Sequence, residues 1–193
     1  MTEKEITYTT SNSYATLNQL TIDTKNIWLV FHGMGYLSKY FLKYFKNLNP
    51  IDNYIIAPQA PSKYYIQPKM HVGANWLTRD NTEVGMQNIM NYIDAVFEAE
   101  NITEDRNLFV FGYSQGVSIA TRYVIKRQLQ PSQLVLHSGG IPKEFKQNDF
   151  AFLNSECKVK LIYGKQDEYL DKSRIEIEKK KATELFGKHL EVL

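Results

Sequence analysis

Ser114 stands in the pentapeptide Gly112-Tyr113-Ser114-Gln115-Gly116, directly after the apolar run Leu108-Phe109-Val110-Phe111. An amphipathic stretch carrying Val117, Ile119, Ala120, Tyr123 and Val124 follows it. Strand, Gly-x-Ser-x-Gly, helix is the order that builds a nucleophile elbow, a sharp turn lifting a serine hydroxyl clear of a sheet. Glycines on both sides keep Cβ atoms out of tight backbone. The chemistry this allows is acyl transfer through a covalent serine intermediate. A serine hydroxyl is a poor nucleophile at neutral pH, so such chemistry needs a base and a group to hold that base.

Two further segments carry residue types suited to that reaction. His32-Gly33-Met34-Gly35 follows the apolar run Ile27–Phe31 and can present the backbone N–H of Met34 to a developing oxyanion. The N–H of Gln115, next to the nucleophile, supplies a second donor; each is worth roughly 3 kcal/mol of barrier. His32 is read as a brace for this loop, because the acid–base histidine comes last in a Ser, Asp, His chain order. Asp167 follows the run Val159–Tyr163 through Gly164-Lys165-Gln166, the position of the acid that orients a catalytic histidine. Glu168, Asp171 and Asp149 are weaker candidates for that acid.

The histidine itself is the open point. Of His32, His71, His137 and His189, only His189 follows Asp167. It lies between a helix ending at Gly187 and the apolar start Leu190-Glu191-Val192-Leu193, which puts it at the sheet edge opposite the nucleophile. Three readings stand: the chain lacks its natural C-terminus and the histidine with it, His189 arrives by an unusual path, or another residue serves. His137 ends the run Leu134–Leu136 on the same edge as Ser114 and is read as a packed histidine bordering the site.

The elements that must position these residues are legible as apolar patterns. Continuous apolar runs at 27–31, 54–57, 108–111 and 134–136 predict buried strands, and Val159-Lys160-Leu161-Ile162-Tyr163 predicts a further strand ended by Gly164. Helical spacing recurs over 37–48, over the stretch opened by Asp80, Asn81 and Thr82, over 115–127, and over about 173–186. In the last of these Glu176 and Lys180 are one turn apart. This alternation predicts a mostly parallel, twisted sheet with helices on both faces. Residues 5–22 alternate polar and apolar around a turn at Asn12, which predicts an N-terminal antiparallel hairpin. Residues 58–80 read as a long loop whose Tyr64, Tyr65, His71 and Trp76 either line an acyl groove or cover the core. Some twenty residues separate the strands at 134–136 and 159–163, too few for a helical cap, which predicts an open site.

Length and composition fit one soluble domain spanning residues 1–193, with 43% apolar and 23% charged residues. A net charge of +2 gives no ground for binding nucleic acid or an anionic membrane. No apolar stretch reaches the ~20 residues of a membrane span, and no stable membrane insertion is expected. The single cysteine, Cys157, excludes an internal disulfide, and the polar, acidic first residues lack a secretory pattern, so the expected location is cytoplasmic. No metal-ligand spacing and no phosphate-cradling glycine loop is present, so no metal or cofactor is expected.

Together these residues resemble the phospholipase/carboxylesterase branch of the α/β-hydrolases, which includes the acyl-protein thioesterases. The matching motifs are Phe31-His32-Gly33-Met34-Gly35, Ala57-Pro58-Gln59-Ala60-Pro61, Trp76 after the long loop, the Ser-Gln-Gly elbow, and Gly164 with Asp167. The resemblance covers the chain from about residue 27 onward. It implies an α/β-hydrolase fold without a cap domain and a metal-free serine hydrolase of small acyl esters or thioesters. Ser114 and Asp167 then belong to the triad, and Met34 and Gln115 to the oxyanion hole. Family members carry a Gly-x-His-like turn after the last strand, and this sequence ends before one. The expected assembly is a monomer or homodimer. Two other readings stay open: a catalytically impaired binding module on this fold, and a peptidase on the same scaffold.

Overall fold

A computed structural model describes residues 1–103, 105–164 and 172–193. Its centre is the strand β2 (Asn26–Phe31), whose side chains alternate between two apolar layers. Ile27, Leu29 and Phe31 face one layer and Trp28 and Val30 the other. Strand β3 (Asn53–Pro58) is buried along its whole length, as a strand covered on both faces must be.

Around these two strands lie β1 (Tyr14–Leu17), β6 (Asn107–Tyr113), β7 (Gln133–His137), β8 (Lys158–Ile162) and β9 (Leu190–Val192). The seven strands are ordered β1-β3-β2-β6-β7-β8-β9, all parallel except β1, which runs antiparallel to β3. In-register pairing of Trp28 with Phe109 stacks their rings at 4.4 Å. At the amino edge, Asn53 Oδ1 accepts hydrogen bonds from Asn26 Nδ2 (3.1 Å) and Trp28 Nε1 (2.9 Å), tying two strands below the core.

Helices cover both faces. The helices α2 (Thr82–Ala99), α3 (Gln115–Arg127) and α4 (Lys172–Phe186) pack on the layer of Ile27, Leu29 and Phe31. The short helix α1 (Ser38–Phe41) and the 3-10 turn Leu42–Phe45 that continues it seal the opposite layer with Phe41, Leu42 and Phe45. On α4 the ion pair forms between Glu176 and Lys179 at 3.0 Å, three residues apart instead of the four expected. Residues 138–157, between β7 and β8, form turns without a helix, so nothing there roofs the carboxyl edge of the sheet.

The antiparallel features sit differently from their expected places. The N-terminal segment supplies one strand, β1, and residues 1–13 carry no secondary structure. The reason is contact: β1 already occupies the free edge of β3, and Ile6, at 88% exposed, has no apolar surface to pack on. A hairpin with neither a third strand nor a core to cover is marginal in water. The hairpin is found instead inside the expected loop, as β4 (Ser62–Ile66) paired with β5 (His71–Asn75).

Candidate active site

At the end of β6 the chain turns at Ser114 with φ 51° and ψ −118° before entering α3. A side chain in that region is strained by roughly 1–3 kcal/mol, and such strain persists only where surrounding structure enforces it. Here the enforcement is close packing. A Cβ on Gly116 would lie 2.1 Å from the carbonyl oxygen of Phe31, and one on Gly112 2.6 Å from that of Gly116. The Ser114 N–H donates to the carbonyl of His137 at 2.9 Å, fastening the elbow to the end of β7. The Ser114 side chain is half-buried, at the carboxyl rim of the sheet.

The loop after β2 lies against this turn. A Cβ on Gly33 would meet Ser114 Cβ at 3.1 Å and the Tyr113 ring at 3.0 Å. His32, fully buried, sets the loop's shape. Its Nε2 accepts the Ala60 N–H at 3.2 Å, so the proton resides on Nδ1, which donates to the Gly33 carbonyl at 2.8 Å. Burial pushes its pKa down to about 4, leaving a neutral ring. Met34 is 58% exposed, and its N–H has no acceptor among the described residues. The Gly35 N–H is taken by the carbonyl of Ala74 at 2.8 Å, and Gly35 itself adopts φ 86°.

Gln115 serves this region with its side chain as well as its backbone. Its Oε1 accepts the Trp76 N–H at 3.0 Å, and its Nε2 donates to the carbonyl of Leu77 at 2.9 Å and to Asn75 Oδ1. Trp76 Nε1 donates to the carbonyl of His32 at 2.8 Å. The backbone N–H of Gln115 is the first of α3, where no intrahelical acceptor exists. Sequence reasoning singled out that N–H but not the amide side chain. A glutamine directly after Ser114, some forty residues from its partners, offers no local signal of what it ties down.

Of the residues singled out from sequence, Ser114, Met34 and Gln115 meet at one rim. Tyr64 stands beside them on β4, 39% exposed, with its hydroxyl 3.8 Å from where a Cβ on Gly35 would be. Trp76 does not line a groove. It is 2% exposed and packs on Phe31 and His32, because its indole N–H and ring face are both used inside the core. His189 is held elsewhere, with its Nδ1 2.9 Å from the carbonyl of Cys157 at the start of β8. Ser114 is bonded to the end of β7, so the two lie a strand length apart, ~16 Å. His137 closes the carboxyl end of β7, with its ring 5.4 Å from that of Tyr113. Among the described residues no histidine ring is hydrogen-bonded to the Ser114 hydroxyl. Asp167, together with Glu168 and Asp171, lies outside the described residues.

Residues 18–192 match the Phospholipase/Carboxylesterase family. The chain belongs to that family of α/β-hydrolases. Solved structures with the same fold include acyl-protein thioesterase 2 from Zea mays, 16% identical with a TM-score of 0.70, covering 94% of this chain and 88% of the other. A carboxylesterase from Bacillus cereus is 14% identical with a TM-score of 0.65 over 94% of this chain and 82% of its own. Esterase PE8 is 20% identical with a TM-score of 0.64 over 95% and 88%. At these identities the likeness is one of fold. No curated protein sequence matches the chain. Membership in the Phospholipase/Carboxylesterase family makes the chain a hydrolase of the esterase type. No helix among the described residues is long and apolar enough to cross a membrane.

Proposed function

We propose that the protein hydrolyses small carboxylic esters or thioesters through an acyl-enzyme on Ser114. The observation that carries this reading is the strained turn at Ser114, packed against Gly33 of the loop after β2. The Ser114 Oγ attacks the acyl carbon and its proton passes to a histidine. The Met34 and Gln115 N–H groups receive the negative charge of the tetrahedral intermediate. The alcohol or thiol leaves with that proton, and water then releases the acid by the same route. Asp167 holds the histidine in this scheme, and none of the four histidines is assigned as the base. The deciding experiment is p-nitrophenyl butyrate hydrolysis by the chain and by Ser114→Ala. Turnover that disappears in the variant supports the proposal, and equal rates end it.

One observation favours a second reading, a binding module on the same fold: His189, the histidine that follows Asp167 in the chain, is held at the carbonyl of Cys157, a strand length from Ser114. A fluorophosphonate probe separates the two. Rapid covalent labelling lost in Ser114→Ala excludes the inert module. Absence of labelling under conditions that label a known serine esterase favours it.

A further inference from the structure

A cleft of about 890 Å³ opens beside the loop that borders Ser114, between the start of β1, α1 and the β4–β5 hairpin. Gly35, Tyr36, Lys39, Lys63 and His71 are among the residues that line it. No carboxylate lines it. Both lysines are exposed, and among the described residues neither is ion-paired, whereas Lys25, Lys160 and Lys179 each have an acidic partner. Lys39 is steadied over the Tyr40 ring, with Nζ 4.9 Å from its centroid, an arrangement that keeps the charge in place without neutralising it. A concave site lined by one sign of charge concentrates ligands of the other sign. The distance is suitable: Gly33 lies so close to Ser114 that a Cβ added to it would sit 3.1 Å from Ser114 Cβ, and Gly35 is two Cα steps further on, at most ~7.6 Å.

We infer that this cleft receives the charged end of the substrate, so that the preferred ester or thioester carries an anionic oxygen group, a carboxylate or a phosphate, within reach of its scissile carbonyl. This rests on Ser114 being the nucleophile. The rest of the cleft suits such a ligand, since Tyr14, Tyr36 and Gly35 add uncharged, partly apolar lining for the chain joining the two groups.

The test uses the full chain with Ser114→Ala, so that ligands bind without turning over. Calorimetric titration compares monomethyl adipate, its uncharged dimethyl ester, and 1-butyryl-glycerol 3-phosphate. At least one anion is expected to bind about tenfold tighter than the diester in low salt, a gain consistent with two exposed charge pairs. The gain is expected to shrink as salt is raised. It is also expected to vanish when Lys39→Gln and Lys63→Gln are added, but not when Lys188→Gln, at the opposite rim, is added. Which anion gains more tells carboxylate from phosphate. Equal affinity for charged and neutral ligands, no binding of either, or a gain that survives loss of both lysines overturns the inference. The active chain separates this failure from that of the mechanism. Turnover of p-nitrophenyl butyrate without an anion preference removes only the charged cleft, whereas no turnover of any ester removes the nucleophile.

Discussion

Replacing Ser114 by glycine separates two properties that the elbow joins. Glycine adopts φ 51° without steric cost, so the strain is relieved while the hydroxyl is removed. Ser114→Gly is expected to gain about 1 kcal/mol of stability, read as a higher urea midpoint at unchanged slope. It is expected at the same time to lose fluorophosphonate labelling. A lower midpoint contradicts the strain. His32 makes a prediction of opposite character. Its ring is neutral in the fold, with a pKa of about 4, against about 6.5 in an unfolded chain. Between those values the unfolded chain binds the proton and the native one does not, so stability is full above pH 6.5 and falls as pH drops toward 4. The loss attributable to this ring approaches about 3 kcal/mol at the lower limit. Urea unfolding at pH 7.5 and 4.5 measures it, and His32→Gln, which cannot titrate, is expected to show a correspondingly shallower decline. An identical decline in both chains assigns the effect to other groups.

At the scale of elements, the tie from Gln115 to residues 75–77 is the least visible part of the site and the most exposed to test. Gln115→Leu leaves the Trp76 N–H without its acceptor and is expected to cost about 1–3 kcal/mol. The Trp76 amide is then expected to exchange its hydrogen faster, while amides in the middle of β7 stay protected. Unchanged exchange at Trp76 contradicts the role. What was legible beforehand follows the same physics. Ile27–Phe31 announces a buried strand because burial on both faces demands an unbroken apolar run, and Val159, Leu161 and Ile162 mark a strand even though Lys160 interrupts them. The elbow is legible because its glycines and serine are adjacent. The β4–β5 hairpin is not, since its side chains are largely exposed and carry little pattern: Tyr65 faces solvent as fully as a loop residue. Nor is the burial of Trp76 legible, because it depends on hydrogen bonds to His32 and Gln115, 44 and 39 residues away.

Across the whole molecule, α4 is fastened to the rim of the sheet by a buried carboxylate. Glu178 Oε2 accepts the Ile141 N–H at 2.9 Å, and its Oε1 lies 2.7 Å from Arg174 Nη2. Lys181 adds a hydrogen bond from its Nζ to the carbonyl of Pro142 at 2.6 Å. The turn held in this way includes Gly139, where a Cβ would lie 2.3 Å from the Ser114 carbonyl oxygen. Glu178→Ala is expected to destabilise the fold by about 2 kcal/mol, less than a fully buried pair because Arg174 is partly in water. Thermal unfolding measures the loss, and a change within a few tenths of a kcal/mol dismisses the anchor.

The β4–β5 hairpin meets the loop after β2 through a backbone hydrogen bond from the Gly35 N–H to the Ala74 carbonyl, through the close approach of Gly73 to Gly35, and through the Ile66 and Tyr64 side chains beside Gly35. The hydrogen bond and the Gly73 approach are made by main chain, so exposed hairpin positions such as Lys63 and Tyr65 can change without breaking that seam. On the proposed mechanism, evolution can therefore exchange what this surface recognises while leaving untouched how a bound ester is cut.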